Sequence, residues 1–260
     1  VNNLLKNHSV EYDTDTWTPS HMGSNYGYTA ELSSGEAYVG QRSVSLQKPP
    51  SYASDAVAIY QQDISLERGK MYTFSSYVKT ENITSEYERS GAYLMVTYQD
   101  GSNSTVTAYP DEFLQGTTEG WTRTSLTFTV PSDAASPVCR MHLVLAAEAY
   151  GHAWFDGMQL EEGAIANPYN LVENPSFERY DTVGTPESWA LSGRGAGDCV
   201  TGAEAKEGGL SYKMLGSPLV EKNISQGIMV GGTERDTYIF SAWAKADSVP
   251  VTEDLSRSFY

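Results

Sequence analysis

The 260-residue chain is acidic, since its 33 Asp and Glu residues exceed its 17 Lys and Arg residues and leave a net charge of -16. A surface of this sign repels phosphate backbones, so the composition excludes nucleic acid as a partner. No apolar run approaches the roughly 18 to 20 residues that cross a bilayer, so no membrane insertion is expected. Abundant Tyr, Ser, Thr and Gly are typical of secreted β proteins and predict an extracellular or cell-surface location.

The beginning of the chain is repeated in its second half. The opening phrase NLLKNHSVE (Asn3 to Glu11) returns as NLVENPSFE (Asn170 to Glu178), and GEAYVGQRSVSLQ is echoed by GAEAKEGGLSYKML. MYTFSSYVKT (Met71 to Thr80) returns as TYIFSAWAKA (Thr237 to Ala246). Matches in the same order, at an offset of about 167 residues, predict a duplicated domain, because this period is too long for a solenoid repeat. We therefore expect the paired segments to occupy the same structural elements.

Alternating apolar and polar residues predict strands along the whole first copy. In chain order these strands include YTFSSYVKT, GAYLMVTY, TRTSLTFTVP, VCRMHLVLAA and AWFDGMQLEE. Segments with turn chemistry, such as YQDGSNST and PSDAASP, separate them. About eight or nine strands in roughly 160 residues predict an all-β fold, an antiparallel β-sandwich of the jelly-roll type.

The predicted organisation is a β-sandwich over residues 1–162, a linker over 163–169 and a second copy over 170–260. The second copy has no counterpart of the stretch from about Gly91 to Glu162, so we interpret it as incomplete and the chain as part of a larger parent chain. Cys139 and Cys199 lie in different copies, which excludes a disulfide within either copy. Cys139 alternates with Met141 and is predicted to be a buried small hydrophobe.

The alternation also predicts which side chains face away from the core. On YTFSSYVKT, Phe74 is assigned to the core, so Tyr77 and Lys79 face outward, and the second copy has Trp243 and Lys245 at these positions. If the strands share one sheet, their outward side chains form a single surface where rings stack on sugars and polar groups bind hydroxyls. The alternative is an ordinary solvated sheet face. The candidate ligand-binding residues are Tyr77, Lys79, Tyr93, Arg123, Arg140 and His142.

Several of these phrases together resemble a known family. NLLKNHSVE, GQRSVSL, YTFSSYVKT, GWTRTSLTFTVP and AWFDGMQLEEG, followed by NPYNLVENPSFE, are similar to galactose-binding-like carbohydrate-binding modules. In particular, they resemble the tandem modules of large Gram-positive surface proteins of the RHS/YD-repeat kind. The resemblance implies a jelly roll of two sheets, often with a structural calcium where the beginning and end of the domain meet.

The resemblance also implies where calcium ligands would lie in the first domain. They correspond to Glu11, to the loop from Gly40 to Ser43 and to Asp156. Where a second Asp often follows in the family, this chain has Gly157. The alternative is that Glu11 and Asp156 cap turns.

The sequence contains none of the enzyme signatures that we sought. It has no Gly-x-Ser-x-Gly elbow, no His-Glu-x-x-His and no phosphate-binding loop, so we predict that the chain is not an enzyme. The favoured function is a carbohydrate-binding or adhesion module whose partner is a glycan or cell-wall polysaccharide. A purely structural spacer or shell segment of a secreted RHS/YD-repeat assembly is the alternative, and a glycan-processing enzyme is a third class.

Overall fold

The computed structural model of the protein describes residues 2–12, 15–20, 28–51, 55–231 and 236–249. The chain forms two compact units, one of Val1–Pro175 with Ile228–Gly232 and the other of Ser176–Gly227 with Thr233–Tyr260. Residues 163–175, interpreted from the sequence as a linker and the start of the second copy, thus belong to the first unit. Residues 250–260, the end of the sequence's second copy, lie outside the described residues.

The first unit is a sandwich of two five-stranded sheets in which every pair of neighbouring strands is antiparallel. The first sheet has the order β1 (Thr18–Ser20), β4 (Val57–Ser65), β9 (Val138–Leu145), β6 (Ala92–Gln99) and β7 (Thr105–Ala108). The second sheet has the order β2 (Thr29–Ser33), β3 (Ser43–Lys48), β10 (Tyr150–Glu162), β5 (Met71–Thr84) and β8 (Thr122–Thr129). The all-β antiparallel sandwich predicted from the alternation is confirmed. In the described ranges, no helix is long and apolar enough to cross a membrane.

The core lies between the two sheets and is built from alternate residues of each strand. Phe74 and Val78 of β5, Leu94 of β6 and Leu143 of β9 are fully buried. Burying each such apolar side chain contributes about 1.5 to 3 kcal/mol to folding. Cys139 is buried among them, as predicted, and burial raises the pKa of its thiol to about 12.

The N-terminal segment is joined to β10, the strand that ends the sandwich. The Asn3 side-chain amide donates a hydrogen bond to the Met158 carbonyl at 2.8 Å, and the Leu4 N–H donates to the Leu160 carbonyl at 2.9 Å. The beginning and end of the domain therefore meet, as the family resemblance implied.

The described part of the second unit contains four short strands. They are β11 (Ala190–Ser192), β12 (Cys199–Thr201), β13 (Ser211–Lys213) and β14 (Asn223–Ser225). β11 pairs with β14, and β12 pairs with β13.

The segment that repeats the sequence of β5 does not form a strand. Residues 237–246 lie outside any ladder, with Ile239 91% and Phe240 78% exposed, whereas Phe74 is fully buried in the first unit. The prediction that Met71–Thr80 and Thr237–Ala246 occupy the same element is wrong here. The physical reason is that β5 is paired on both sides, by β8 and β10, and these 260 residues contain no second copy of either strand.

Candidate functional site

The predicted binding residues all lie on the outer faces of their sheets, but they do not share one sheet. The second sheet carries Tyr77 and Lys79 on β5 and Arg123 on β8. The first sheet carries Tyr93 on β6 and Arg140 and His142 on β9. The single surface expected if these strands shared one sheet therefore does not form, and Tyr77 and Tyr93 lie on different sheets. Alternation determines which way a side chain points, but not which strands become neighbours.

The outer face of the first sheet is centred on Tyr60, a residue that the sequence reasoning missed. The Arg140 guanidinium lies over the Tyr60 ring, 4.5 Å from its centroid, and donates a hydrogen bond to Gln62 Oε1 at 3.1 Å. The His142 ring centroid lies 5.5 Å from that of Tyr60. We call the surface formed by Tyr60, Gln62, Tyr93, Thr97, Arg140 and His142 the first face. Alternation in VAIYQQ would have predicted an outward Tyr60, because Ile59 points into the core.

His142 on the first face is neutral at physiological pH. Burial, together with the nearby Arg140 charge, lowers the pKa of its imidazole to about 4. Its Nε2 forms a hydrogen bond of 3.1 Å with the Thr97 hydroxyl. The register places Tyr60, His142 and Met95 side by side on three adjacent strands. At about 4.8 Å per strand spacing, this row extends roughly 10 Å across the sheet.

An aromatic cluster extends the first face at the start of β6. The Tyr93 ring centroid lies 4.8 Å from that of Phe113 and 6.1 Å from that of Tyr109, which is largely exposed. The Arg89 guanidinium lies 5.4 Å from the Phe113 ring centroid. Burial raises the pKa of Tyr93 to about 12, so its hydroxyl remains a neutral hydrogen-bonding group.

The outer face of the second sheet carries a different set of stacked rings. Tyr77 stacks on Tyr38 with ring centroids 3.6 Å apart and an interplanar angle of 16°. Arg123 lies 5.6 Å from the Tyr77 ring centroid and donates a hydrogen bond to the Ser75 hydroxyl at 3.0 Å. We call the surface formed by Glu36, Tyr38, Tyr77, Lys79, Trp121 and Arg123 the second face.

The four residues predicted to hold calcium converge on the loop that carries Tyr38. Asp156 is fully buried, and its Oδ2 accepts hydrogen bonds from the N–H groups of Tyr38 at 2.7 Å and Val39 at 2.9 Å. Its Oδ1 accepts from the Gly157 N–H at 2.6 Å. Burial raises the pKa of the Asp156 carboxyl to about 7, although these N–H groups favour the ionised form. Asp156 therefore anchors the first half of the loop.

Glu11 anchors the second half of the same loop. Its Oε1 accepts hydrogen bonds from the N–H groups of Gln41 at 2.9 Å and Arg42 at 2.7 Å. Gly40 has a φ of +66°, and a Cβ built on it would lie 2.5 Å from the Glu11 carboxyl group. The Ser43 hydroxyl closes the loop by donating to a backbone carbonyl at 2.7 Å. Glu11 and Asp156 thus accept backbone N–H groups of this loop, as the turn-capping alternative expects. Gly40 and Ser43 belong to the loop itself.

The same loop geometry recurs in the second unit. Glu178 Oε1 accepts hydrogen bonds from the N–H groups of Gly209 at 3.0 Å and Leu210 at 3.1 Å. The φ of Gly208, +68°, is close to that of Gly40 in the first unit. The Ser211 hydroxyl donates to the carbonyl of Glu204, seven positions earlier, as the Ser43 hydroxyl donates to the carbonyl of Glu36.

Side-chain contacts between the loop and the repeated segment also recur. In the first unit, Lys79 forms an ion pair of 2.8 Å with Glu36. In the second unit, Lys245 forms an ion pair of 2.7 Å with Glu204.

A cation also lies over the aromatic ring of the second unit. Lys206, at the position of Tyr38, lies 4.7 Å from the Trp243 ring centroid. The segment that forms no strand thus still keeps the outward contacts of its counterpart.

An antiparallel sandwich with aromatic rings and hydrogen-bonding side chains on its sheet faces has the features of a sugar-binding module. The model of the family described as carbohydrate binding domain matches residues 2–145, more than half of the chain. The chain belongs to this carbohydrate binding domain family.

Curated proteins that are similar to the chain include two nucleases of Bacillus subtilis. A tRNA nuclease WapA of Bacillus subtilis strain 168 is 27% identical over 271 residues, covering 98% of this chain and 11% of the relative. A tRNA(Glu)-specific nuclease WapA of Bacillus subtilis subsp. natto is 27% identical over 205 residues, covering 76% of this chain and 8% of the relative. The chain therefore spans about a tenth of the length of these relatives.

Solved structures that are similar to the chain include carbohydrate-binding modules. The CBM22-1 xylan-binding domain from Paenibacillus barcinonensis Xyn10C is 19% identical, with a TM-score of 0.46, and the match covers 64% of this chain and 97% of that domain. A family 16 carbohydrate binding module is 21% identical, with a TM-score of 0.43, covering 62% of this chain and all of the module.

Proposed function

We propose that the first unit is a non-catalytic module that binds a neutral glycan or cell-wall polysaccharide through the first face. The observation that carries the proposal is the stacking of the Arg140 guanidinium on the Tyr60 ring, with His142 and Thr97 hydrogen-bonded beside them. The Tyr60 ring supplies a surface for the apolar side of a sugar ring. Arg140, Gln62 and Thr97 supply donors and acceptors for its hydroxyls.

The charges of the first face favour a neutral ligand. β6 and β9 contain no Asp or Glu, and His142 is neutral because its pKa is lowered to about 4. Arg140 is the cation that these two strands supply, whereas the chain as a whole has a net charge of -16. An acidic polymer would therefore be repelled at longer range. The absence of carboxylates from β6 and β9 also leaves these strands without the paired acids of a glycosidase.

The parent protein and its location also belong to this proposal. Because the chain spans about a tenth of the WapA relatives, we propose that it is one part of a larger extracellular or cell-surface protein, as in RHS/YD-repeat assemblies. The nuclease activity in the names of those relatives describes whole proteins. This segment would contribute attachment to a polysaccharide rather than catalysis.

A structural spacer is the second candidate function, and one observation favours it. The segment after β10 is fixed to the first unit, because Gln159 and Glu161 hold Asn167 through hydrogen bonds of 2.6 to 3.1 Å. A fixed exit of the chain suits a spacer as well as a binding module. Binding to an array of glycans distinguishes the two, because a spacer has no sugar preference.

The proposed function is tested by substituting Tyr60→Ala and Arg140→Ala together. Affinity for the glycan that the unsubstituted chain binds best on the array should fall roughly tenfold or more. Tyr180→Ala is the matched control, because Tyr180 is an exposed tyrosine of the second unit. The proposed site would be refuted if the double variant bound the glycan as tightly as the unsubstituted chain. It would also be refuted if the unsubstituted chain bound no neutral glycan.

We further propose that calcium binds the first unit through Glu11, Asp156 and the loop from Gly40 to Ser43. What supports the proposal is that two carboxylates, those of Glu11 and Asp156, lie against one loop. Carboxylate and carbonyl oxygens are the donors that calcium prefers. In the part of the chain that the structure describes, no group of three or more His, Cys, Asp and Glu residues could hold a metal. Carbonyl oxygens would therefore have to complete the ligand set.

A further inference from the structure

The same pairing of an arginine with a tyrosine occurs on both outer faces of the sandwich. On the first face, Arg140 lies 4.5 Å from the Tyr60 ring centroid. On the second face, Arg123 lies 5.6 Å from the Tyr77 ring centroid and is held by the Ser75 hydroxyl. In both cases the arginine and the tyrosine lie on adjacent strands. The chemistry that suits the first face to a sugar is therefore present a second time.

The second face also presents rings to solvent. Tyr38 covers Tyr77 and is itself 39% exposed, and the Trp121 ring centroid lies 6.2 Å away at an angle of 60°. Gly157 lies against the stack, since a Cβ there would lie 3.2 Å from Tyr77 and 3.6 Å from Tyr38. Asp156 fixes the Tyr38 backbone. The exposed platform thus stands on a rigid loop.

Acidic side chains outnumber basic ones around the second face. Lys79 is paired with Glu36 at 2.8 Å, and the charges of Glu31, Glu36 and Glu81 act on His152 of β10. Three carboxylates against Lys79 and Arg123 give no excess of positive charge. An anionic ligand would gain nothing here, whereas a neutral glycan uses both the rings and the charged hydrogen-bonding groups.

We propose that the second face is a second binding site for a neutral glycan chain, so that the first unit is bivalent. The choice of ligand class rests on the proposed function, whereas the site itself rests on the contacts of Tyr38, Tyr77 and Arg123. The two sheets of a sandwich pack about 10 Å apart, and their outer faces point in opposite directions. One glycan chain cannot contact both faces at once, so the module links two chains.

The recurrence of these contacts in the second unit supports the proposal. Trp243 is 74% exposed and lies against Lys206, and Lys245 is paired with Glu204. The second unit thus also carries an aromatic ring at the position of Tyr77, next to the cation Lys206.

The experiment is calorimetric titration with neutral hexasaccharides of the xylan, cellulose and mannan series. All proteins carry Trp243→Ala, so that heat is assigned to the first unit. One variant removes the first face by Tyr60→Ala with Arg140→Ala, and another removes the second by Tyr38→Ala with Trp121→Ala. The parent should bind two hexasaccharides per chain, and each variant should bind one. Tyr38→Phe is the conservative control and should keep both sites.

The outcomes separate this inference from the proposed function. If the first-face variant binds nothing, the second site is refuted and the proposed function stands. If the second-face variant binds nothing and the first-face variant binds one hexasaccharide, the proposed function fails and the second site stands. If the parent binds none of the three series, both are refuted. Melting temperatures confirm that each variant is folded.

Discussion

At the scale of single residues, His142 shows how burial on a sheet face determines protonation. The side chain is 8% exposed, with the Tyr60 ring, the Arg140 charge and the Thr97 hydroxyl around it. An imidazolium here would lose hydration and face a second cation, so the pKa is lowered to about 4. The imidazole is therefore a neutral partner for Thr97 across the physiological range.

This lowered pKa predicts that the stability contributed by His142 is lost in mild acid. The unfolded imidazole binds a proton near pH 6.5 and the folded one only near pH 4, so the unfolded state holds more protons between these values. The contribution of His142 is complete above pH 6.5 and is lost as the pH falls toward 4. From pH 7.5 to 5.5, the loss should be about 1.4 kcal/mol.

Urea unfolding of the parent and of His142→Gln at pH 7.5 and 5.5 measures this difference. The pH range stays above the isoelectric point of about 4.5, where the protein would precipitate. The glutamine variant keeps a hydrogen-bonding group for Thr97 but does not titrate. An equal pH dependence in both proteins would contradict the lowered pKa.

At the scale of strands, the sequence correctly predicted which side of its strand each side chain occupies. It did not predict which strands lie in the same sheet. Phe74 and Leu94 are buried and Tyr77 and Tyr93 face outward, as the alternation indicated. Alternation is a local property of two-residue period, so it can be predicted without knowing the fold. Strand neighbours depend on connections that pass between the sheets, as where β5 and β6 follow each other in the chain but lie in different sheets. No local pattern records this choice.

The loop between β2 and β3 gives a second prediction, through Gly40. An alanine at this position has an unfavourable φ of +66° and a Cβ 2.5 Å from the Glu11 carboxyl group. Gly116 is the matched control, because its φ is +74° and a Cβ there meets nothing within 4 Å. Both Gly40→Ala and Gly116→Ala should lose about 1 kcal/mol from backbone conformation. Gly40→Ala should lose about 2 kcal/mol more, because Glu11 must move away from the loop.

Chemical unfolding of the two alanine variants tests the anchoring role of Glu11. Adding Glu11→Ala to each separates the clash from the backbone cost. The carboxyl group that the new Cβ would meet is then absent, so the two substitutions of the Gly40 pair should be non-additive. Equal losses in Gly40→Ala and Gly116→Ala would show that Glu11 does not hold this loop.

At the scale of the whole chain, the two units share motifs but differ in the strands that complete them. The Glu178 loop repeats the Glu11 loop, and Lys245 with Glu204 repeats the pairing of Lys79 with Glu36. These contacts are local to the opening motif, the loop and the aromatic segment. The strand that carries Asp156 in the first unit, β10, has no second copy within these 260 residues. The sequence match therefore identified the segments that carry these contacts, but residues 237–246 do not form the strand that it predicted.

This difference predicts one calcium ion per chain, bound to the first unit. Asp156 and Glu11 belong to the segments that join the beginning and end of the sandwich, so an ion held by both would bind the folded state and not the unfolded one. At a calcium concentration of one hundred times Kd, the free energy of unfolding should rise by about 2.7 kcal/mol. Calorimetric titration after chelator treatment should give one site. Asp156→Asn should abolish it, and Glu178→Gln in the second unit should leave it unchanged. No heat with the parent chain, and no effect of calcium on its melting temperature, would show that backbone N–H groups alone balance the two carboxylates.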